Sequence, residues 1–172
     1  MAAHVPVLVV TGYSGSGKTT LIERLLLELR GRGHRLGVVK HVGHPIAQDG
    51  PGKDSERFWA AGAEAVAMVG RARTLVMLRD ADWGDLQALA DMLPVDLVLA
   101  EGFKSTTTWA RLIVLGQQPD AALQLGEGRE VLAIVGQAEA GADRPSYLPD
   151  DVAGIADRIE GWLRRPQAAP PG

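Results

Sequence analysis

The 172-residue chain contains no cysteine. Disulfides, thiolate metal sites and a cysteine nucleophile are thereby excluded, and the composition fits a cytoplasmic protein. A basic excess is absent too. Eighteen Lys and Arg stand against 21 Asp and Glu, giving a formal charge of −3 and a pI near 5.8. This argues against a general nucleic-acid binder, which needs cations to replace phosphate counterions. Long apolar runs are missing as well. The run at 5–10 is too short for a membrane span or signal peptide, so no membrane partner is expected. No internal repeat or domain break stands out. One domain is expected over 1–164, with the Pro-rich tail 165–172 disordered.

What is present is a phosphate grip. Gly12-Tyr13-Ser14-Gly15-Ser16-Gly17-Lys18-Thr19 fits G-x-x-x-x-G-K-[ST], and an apolar run before it and a helical pattern after it supply the context the motif needs. The glycines permit positive φ and close backbone approach, so successive N–H groups can form an anion nest. A helix starting near Lys18 adds unpaired N–H groups and the positive end of its dipole. Lys18 supplies a point charge to the β- and γ-phosphates. Thr19 carries the hydroxyl expected on Mg²⁺, and Thr20 a further contact near the α- or β-phosphate. A glycine-rich turn that merely caps a helix is the competing reading, disfavoured by the Gly-Lys-Thr order and its flanks.

Apolar strands alternate with helices. Strands are expected at 5–10, 36–40, 95–100, 111–115 and 131–135, and helices at 18–30, from 54 or 55 to near 62, at 85–92 and at 150–163. Two short apolar runs, 65–69 and 75–78, are close enough for a hairpin. The fold class is therefore α/β: a three-layer P-loop NTPase fold, mostly parallel sheet with helices on both faces and a short antiparallel hairpin.

In such a sheet ligands bind outside the carboxyl ends of the strands. The segment from Asp96 to Glu101 has an acid at each end, about 16 Å apart at 3.3 Å per residue. Only Glu101 falls at the carboxyl edge. There it can bind Mg²⁺ through water or orient an attacking water, the catalytic role; its alternative is an exposed acid opening a loop. Lys40 and His41 end the second strand at the same edge. Asp49 can add a second carboxylate near the metal. A second anion site is read from Lys40, His41, Lys53, Asp54, Ser55 and Lys104, with Arg111 adding charge near the same mouth. The bland readings are a solvated lysine, a structural histidine and an ordinary helix cap at Asp54 or Ser55.

No N-K-x-D or T-K-x-D segment lies near 131–135, so the base is not readable from a motif. Several segments taken together, however, resemble one family. They are Val10-Thr11-Gly12 through Thr20-Leu21, Val38-Val39-Lys40-His41, Asp49 through Ser55, Ala60-Ala61-Gly62-Ala63, and Asp96 through Glu101-Gly102-Phe103-Lys104. In order and spacing they are similar to the molybdopterin-guanine dinucleotide biosynthesis protein B (MobB) family. The resemblance implies a GTP-binding accessory protein with weak GTPase activity, usually a homodimer. It would work beside the MobA guanylyltransferase, which joins GMP to molybdopterin. Gly12 to Thr20 would hold the phosphates, and Thr19 and Glu101 would serve Mg²⁺. Asp49 matches a family acid, and 52–55 an element facing nucleotide or pterin phosphate. Two other readings stay open. One is an ATP-dependent small-molecule kinase of the same fold, in which Lys40, His41, Lys53 and Asp54 bind an acceptor and Asp49 or Glu101 is the base; no Arg-rich lid segment supports it. The other is a pure adapter in which nucleotide only stabilises the fold or dimer.

Overall fold

The computed structural model describes residues 4–43, 54–79, 86–106, 108–137 and 144–165. The elements in chain order are β1 (Val7–Thr11), α1 (Lys18–Gly31), β2 (Leu36–Lys40), α2 (Asp54–Ala60), β3 (Ala65–Val69), β4 (Thr74–Leu78), α3 (Leu86–Asp91), β5 (Leu97–Glu101), β6 (Arg111–Val114), α4 (Pro119–Gln124), β7 (Val131–Val135), β8 (Ser146–Tyr147) and α5 (Val152–Leu163). They divide into two compact units: Met1–His41 with Leu86–Gly172, and Val42–Asp85.

The larger unit is built on a six-stranded sheet in the order β2-β5-β1-β6-β7-β8. Every neighbouring pair in it is parallel. Its strands are apolar on both faces because both faces are covered. On one face, Leu21, Ile22, Leu25 and Leu29 of α1 and Ile155, Ala156, Ile159 and Trp162 of α5 pack on Leu8, Val10, Leu97, Leu99 and Leu112. On the other, Val7, Val9, Val98 and Ala100 meet Leu86 and Ala90 of α3. Ile113, Leu115 and Ile134 meet Ala122 of α4 on a further cluster. Each buried Leu or Ile contributes about 2 kcal/mol, so the i, i+4, i+8 stripe of α1 fixes where its first turn lies relative to β1.

Two elements were not expected from sequence. Helix α4 has only six residues, too few to show a periodic stripe, but Pro119 at its start and Asp120 in its first turn fit a helix N-terminus. Strand β8 is a two-residue edge paired only with β7. Glu101, expected just past its strand, is the last residue of β5.

In the smaller unit β3 and β4 pair antiparallel, with Val69 opposite Thr74, and Gly70 N–H donates to Arg73 O across the turn (3.0 Å). The Arg79 guanidinium lies 4.3 Å from the Trp59 ring centroid and donates to the carbonyls of Trp59 and Ala63. These contacts tie the residue after β4 back to α2 and the turn that follows it.

Candidate nucleotide-binding site

Strand β1 delivers the chain to the loop at the carboxyl edge of the sheet, and α1 leaves it at Lys18. Two glycine positions make the loop possible. Gly12 sits at φ 153°, where a Cβ would stand 2.4 Å from the Val114 carbonyl oxygen, so a side chain there would push the loop off β6. Gly17 precedes α1 in the left-handed region at φ 92°, with no side chain capping the helix. The first N–H groups of α1 are thus left for an anion.

The charged side chains converge on one carboxylate. Glu101 is only 8% exposed. The Thr19 hydroxyl donates to it, 3.1 Å from Oε1 and 3.2 Å from Oε2. Lys40 Nζ is 3.3 Å from Oε1. That contact follows from register, since Lys40 and Glu101 are partners across the β2–β5 ladder and His41 N–H extends the ladder to Glu101 O (3.0 Å). Lys18 Nζ donates to Tyr13 O (2.7 Å) and to Ser16 Oγ (3.4 Å). Burial holds its ammonium below the usual lysine range; nearby Glu101 opposes that shift, and Lys104 and Lys40 add to it. Ser14, Gly15, Gly17, Lys18, Thr19, Thr20, Lys40 and Glu101 line one cleft of about 470 Å³.

Beyond the cleft, Lys104 Nζ lies 4.4 Å over the Tyr13 ring, a cation–π contact joining the segment after β5 to the loop. His41 meets Phe103 edge-on, ring centroids 5.4 Å apart. Phe103 has φ 43°, the one non-glycine residue in the left-handed region among those described. Thr106 holds that turn, its N–H and hydroxyl both donating to Phe103 O (3.3 and 2.8 Å). Sequence reasoning missed the Tyr13–Lys104 contact; the only signal was Gly102, which permits the sharp turn after β5.

Other expected residues fall elsewhere. Asp49 and Lys53 lie outside the described residues. Asp54 and Ser55 open α2 in the smaller unit; Asp54 is paired with Arg57 at 3.4 Å and Ser55 is buried. Arg111 does not add charge to the mouth. It opens β6 fully buried, its guanidinium donating to Leu125 O (3.0 Å) and Thr106 O, and burial beside Arg129 pushes its pKa down to about 10. One carbonyl at the end of α4 and one from the β5–β6 connection, rather than phosphate, solvate it.

A divalent cation fits this chemistry. Thr19 and Glu101 offer hard oxygen donors, and no group of three or more His, Cys, Asp or Glu that could hold a metal occurs among the described residues. A cation here would take most of its ligands from phosphate and water, as Mg²⁺ does.

The family model for molybdopterin guanine dinucleotide synthesis protein B, MobB, matches residues 7–137. The chain belongs to the MobB family. The molybdopterin-guanine dinucleotide biosynthesis adapter protein of Escherichia coli K12 is 34% identical to it over 170 residues, covering 94% of this chain and 95% of that protein. The protein of the same name from Haemophilus influenzae is 37% identical over 166 residues, covering 95% and 92%. Among solved structures, that of a molybdopterin-guanine biosynthesis protein B superposes with a TM-score of 0.72 at 27% identity, over 92% of this chain and 99% of the other. Bacillus subtilis MobB gives 0.71 at 29% identity, over 92% and 98%. The three-layer P-loop architecture expected from sequence is thus the MobB fold. Among the described residues, no helix is long and apolar enough to cross a membrane.

Proposed function

We infer that this MobB-family protein is the adapter of molybdopterin guanine dinucleotide synthesis, binding Mg²⁺-GTP with slow hydrolysis and acting beside a MobA-type guanylyltransferase as a cytoplasmic homodimer. The observation that carries the nucleotide part is the cleft where the Lys18 ammonium and the Thr19–Glu101 pair converge on the glycine loop. Family membership supports the pathway and the choice of GTP. Gly12 to Thr20 bind the phosphates through loop and helix N–H groups. Lys18 neutralises the β- and γ-oxygens. Mg²⁺, held by Thr19 and Glu101, would supply charge neutralisation at the phosphates. Glu101 would also orient a water toward the γ-phosphate. Lys40, His41 and Lys104 place further donors at the rim, suited to a second phosphate such as that of molybdopterin.

Thermal shifts with GTP, ATP and CTP plus Mg²⁺, followed by phosphate release, test this reading. Stabilisation chiefly by GTP with slow release supports it. Stabilisation chiefly by ATP, with rapid transfer to a small acceptor, would replace it with the kinase.

A further inference from the structure

Lys40 is the least explained cation of the site. It is not part of the glycine loop, yet its place is fixed by the β2–β5 register, which puts it directly beside Glu101. Its contact with Glu101 is a single one of 3.3 Å, and its side chain is 54% exposed while that of Glu101 is 11% exposed. The carboxylate is therefore held in place, whereas the lysine has a flexible four-carbon stem in solvent. Thr19 approaches the same two carboxylate oxygens. An ammonium and a divalent cation cannot both sit against these oxygens without strong repulsion, so the two compete for one carboxylate. The competition has a use. A bare carboxylate beside a polyphosphate would repel it, and Lys40 is the cation in direct contact with Glu101, while Lys18 lies within electrostatic reach of both.

We propose that Lys40 is the exchangeable counter-cation of Glu101: it neutralises the carboxylate, yields it to the divalent metal, and then carries its ammonium to the phosphates that arrive with that metal. This rests on the nucleotide-binding reading above and deepens it. Lys40 and the metal are partial substitutes, so removing the lysine makes phosphate binding depend more on the metal. A lysine that only touched phosphate would weaken binding equally with and without metal. A solvated rim lysine would change neither.

The experiment measures affinity for a fluorescent GTP analogue in EDTA and in saturating Mg²⁺, for wild type, Lys40→Met, Lys40→Arg and Lys18→Ala. Circular dichroism confirms that each variant is folded. Lys40→Met is expected to lose about tenfold in EDTA and about twofold in Mg²⁺, so that the Mg²⁺ enhancement rises about fivefold. Lys40→Arg keeps the charge and restores the wild-type enhancement. Mn²⁺ binding followed by electron paramagnetic resonance, without nucleotide, should tighten severalfold in Lys40→Met. Equal losses in both media, or no change in either, overturns the Lys40 assignment while leaving the nucleotide reading standing. If wild type binds no nucleotide, or Lys18→Ala binds as wild type does, the phosphate-site reading falls and the Lys40 proposal falls with it.

Discussion

Strand β5 is bounded by an acid at each end, and the adjoining β2 chain supplies a cation to both. At the amino end, Asp96 receives the backbone N–H of Arg35 (2.8 Å) and its guanidinium (Nη2 to Oδ1, 2.8 Å), while its own N–H donates to Arg35 O (2.8 Å). At the carboxyl end, Glu101 meets Lys40 at Oε1 alone and the Thr19 hydroxyl at both oxygens. The first pair uses both backbones and a two-pronged guanidinium, so it closes the ladder and leaves little to exchange. The second is more buried and more loosely held, and its members remain able to take a new partner. The same two strands thus end once in a fastening and once in a site, and the difference lies in which groups stay uncommitted rather than in the presence of charge.

Breaking the carboxyl end should have the largest consequences. On the reading proposed above, Lys18→Ala removes the charge that would answer the β- and γ-phosphates, and nucleotide affinity should fall at least about a hundredfold in equilibrium titrations. Gly12→Ala pushes a methyl against the Val114 carbonyl, 2.4 Å away on the unrelaxed backbone. Urea unfolding should show a loss of about 2 kcal/mol, together with weaker nucleotide binding. Glu101→Gln keeps the shape and removes the charge; phosphate release should drop about tenfold while nucleotide binding persists. If hydrolysis is unaffected, Glu101 has no part in water or metal positioning.

The amino end should respond least, and mainly to acid. Hydrogen bonds from the Arg35 guanidinium, then from its backbone N–H, hold the Asp96 carboxyl below the usual aspartate range. A depressed folded pKa means that the stability it contributes is present above the unfolded value and is lost as pH falls through the folded one. The stability difference between wild type and Asp96→Asn should therefore hold from neutral pH down to near the reference value of 3.8 and shrink progressively as pH falls further, through the depressed folded value, as read from urea unfolding across that range. Nucleotide affinity should change by less than about twofold, since the variant touches the far end of the strand. An affinity loss comparable to that of Lys18→Ala would erase the contrast between the two ends.

Much of this was legible in the sequence for a physical reason: buried parallel strands are apolar throughout, and a phosphate loop needs glycine at fixed positions. The edge rule alone separates Glu101 from Asp96. What escaped depends on tertiary partners. Helix α4 is held by Ala122 on Ile113 and Ile134 rather than by its own periodicity. Arg111 looked like a surface cation because nothing local announces that Leu125 and Thr106 carbonyls will surround it. Lys104 reaches Tyr13 only because Gly102 and Phe103 turn the chain sharply after β5.

The close seating of the glycine loop on β6 bears on kinetics. Gly12 lies against the Val114 carbonyl, and a methyl on Gly116 would strike the Ser16 Cβ at 2.6 Å, so the loop is braced at two points by β6 and the residues just after it. Nucleotide capture then requires little refolding of the receptor. On the nucleotide-binding reading proposed above, association should be governed by diffusional encounter and by the attraction of the rim lysines, slowing as solvent viscosity and salt rise, while the lifetime of the complex should carry the differences between one nucleotide and another.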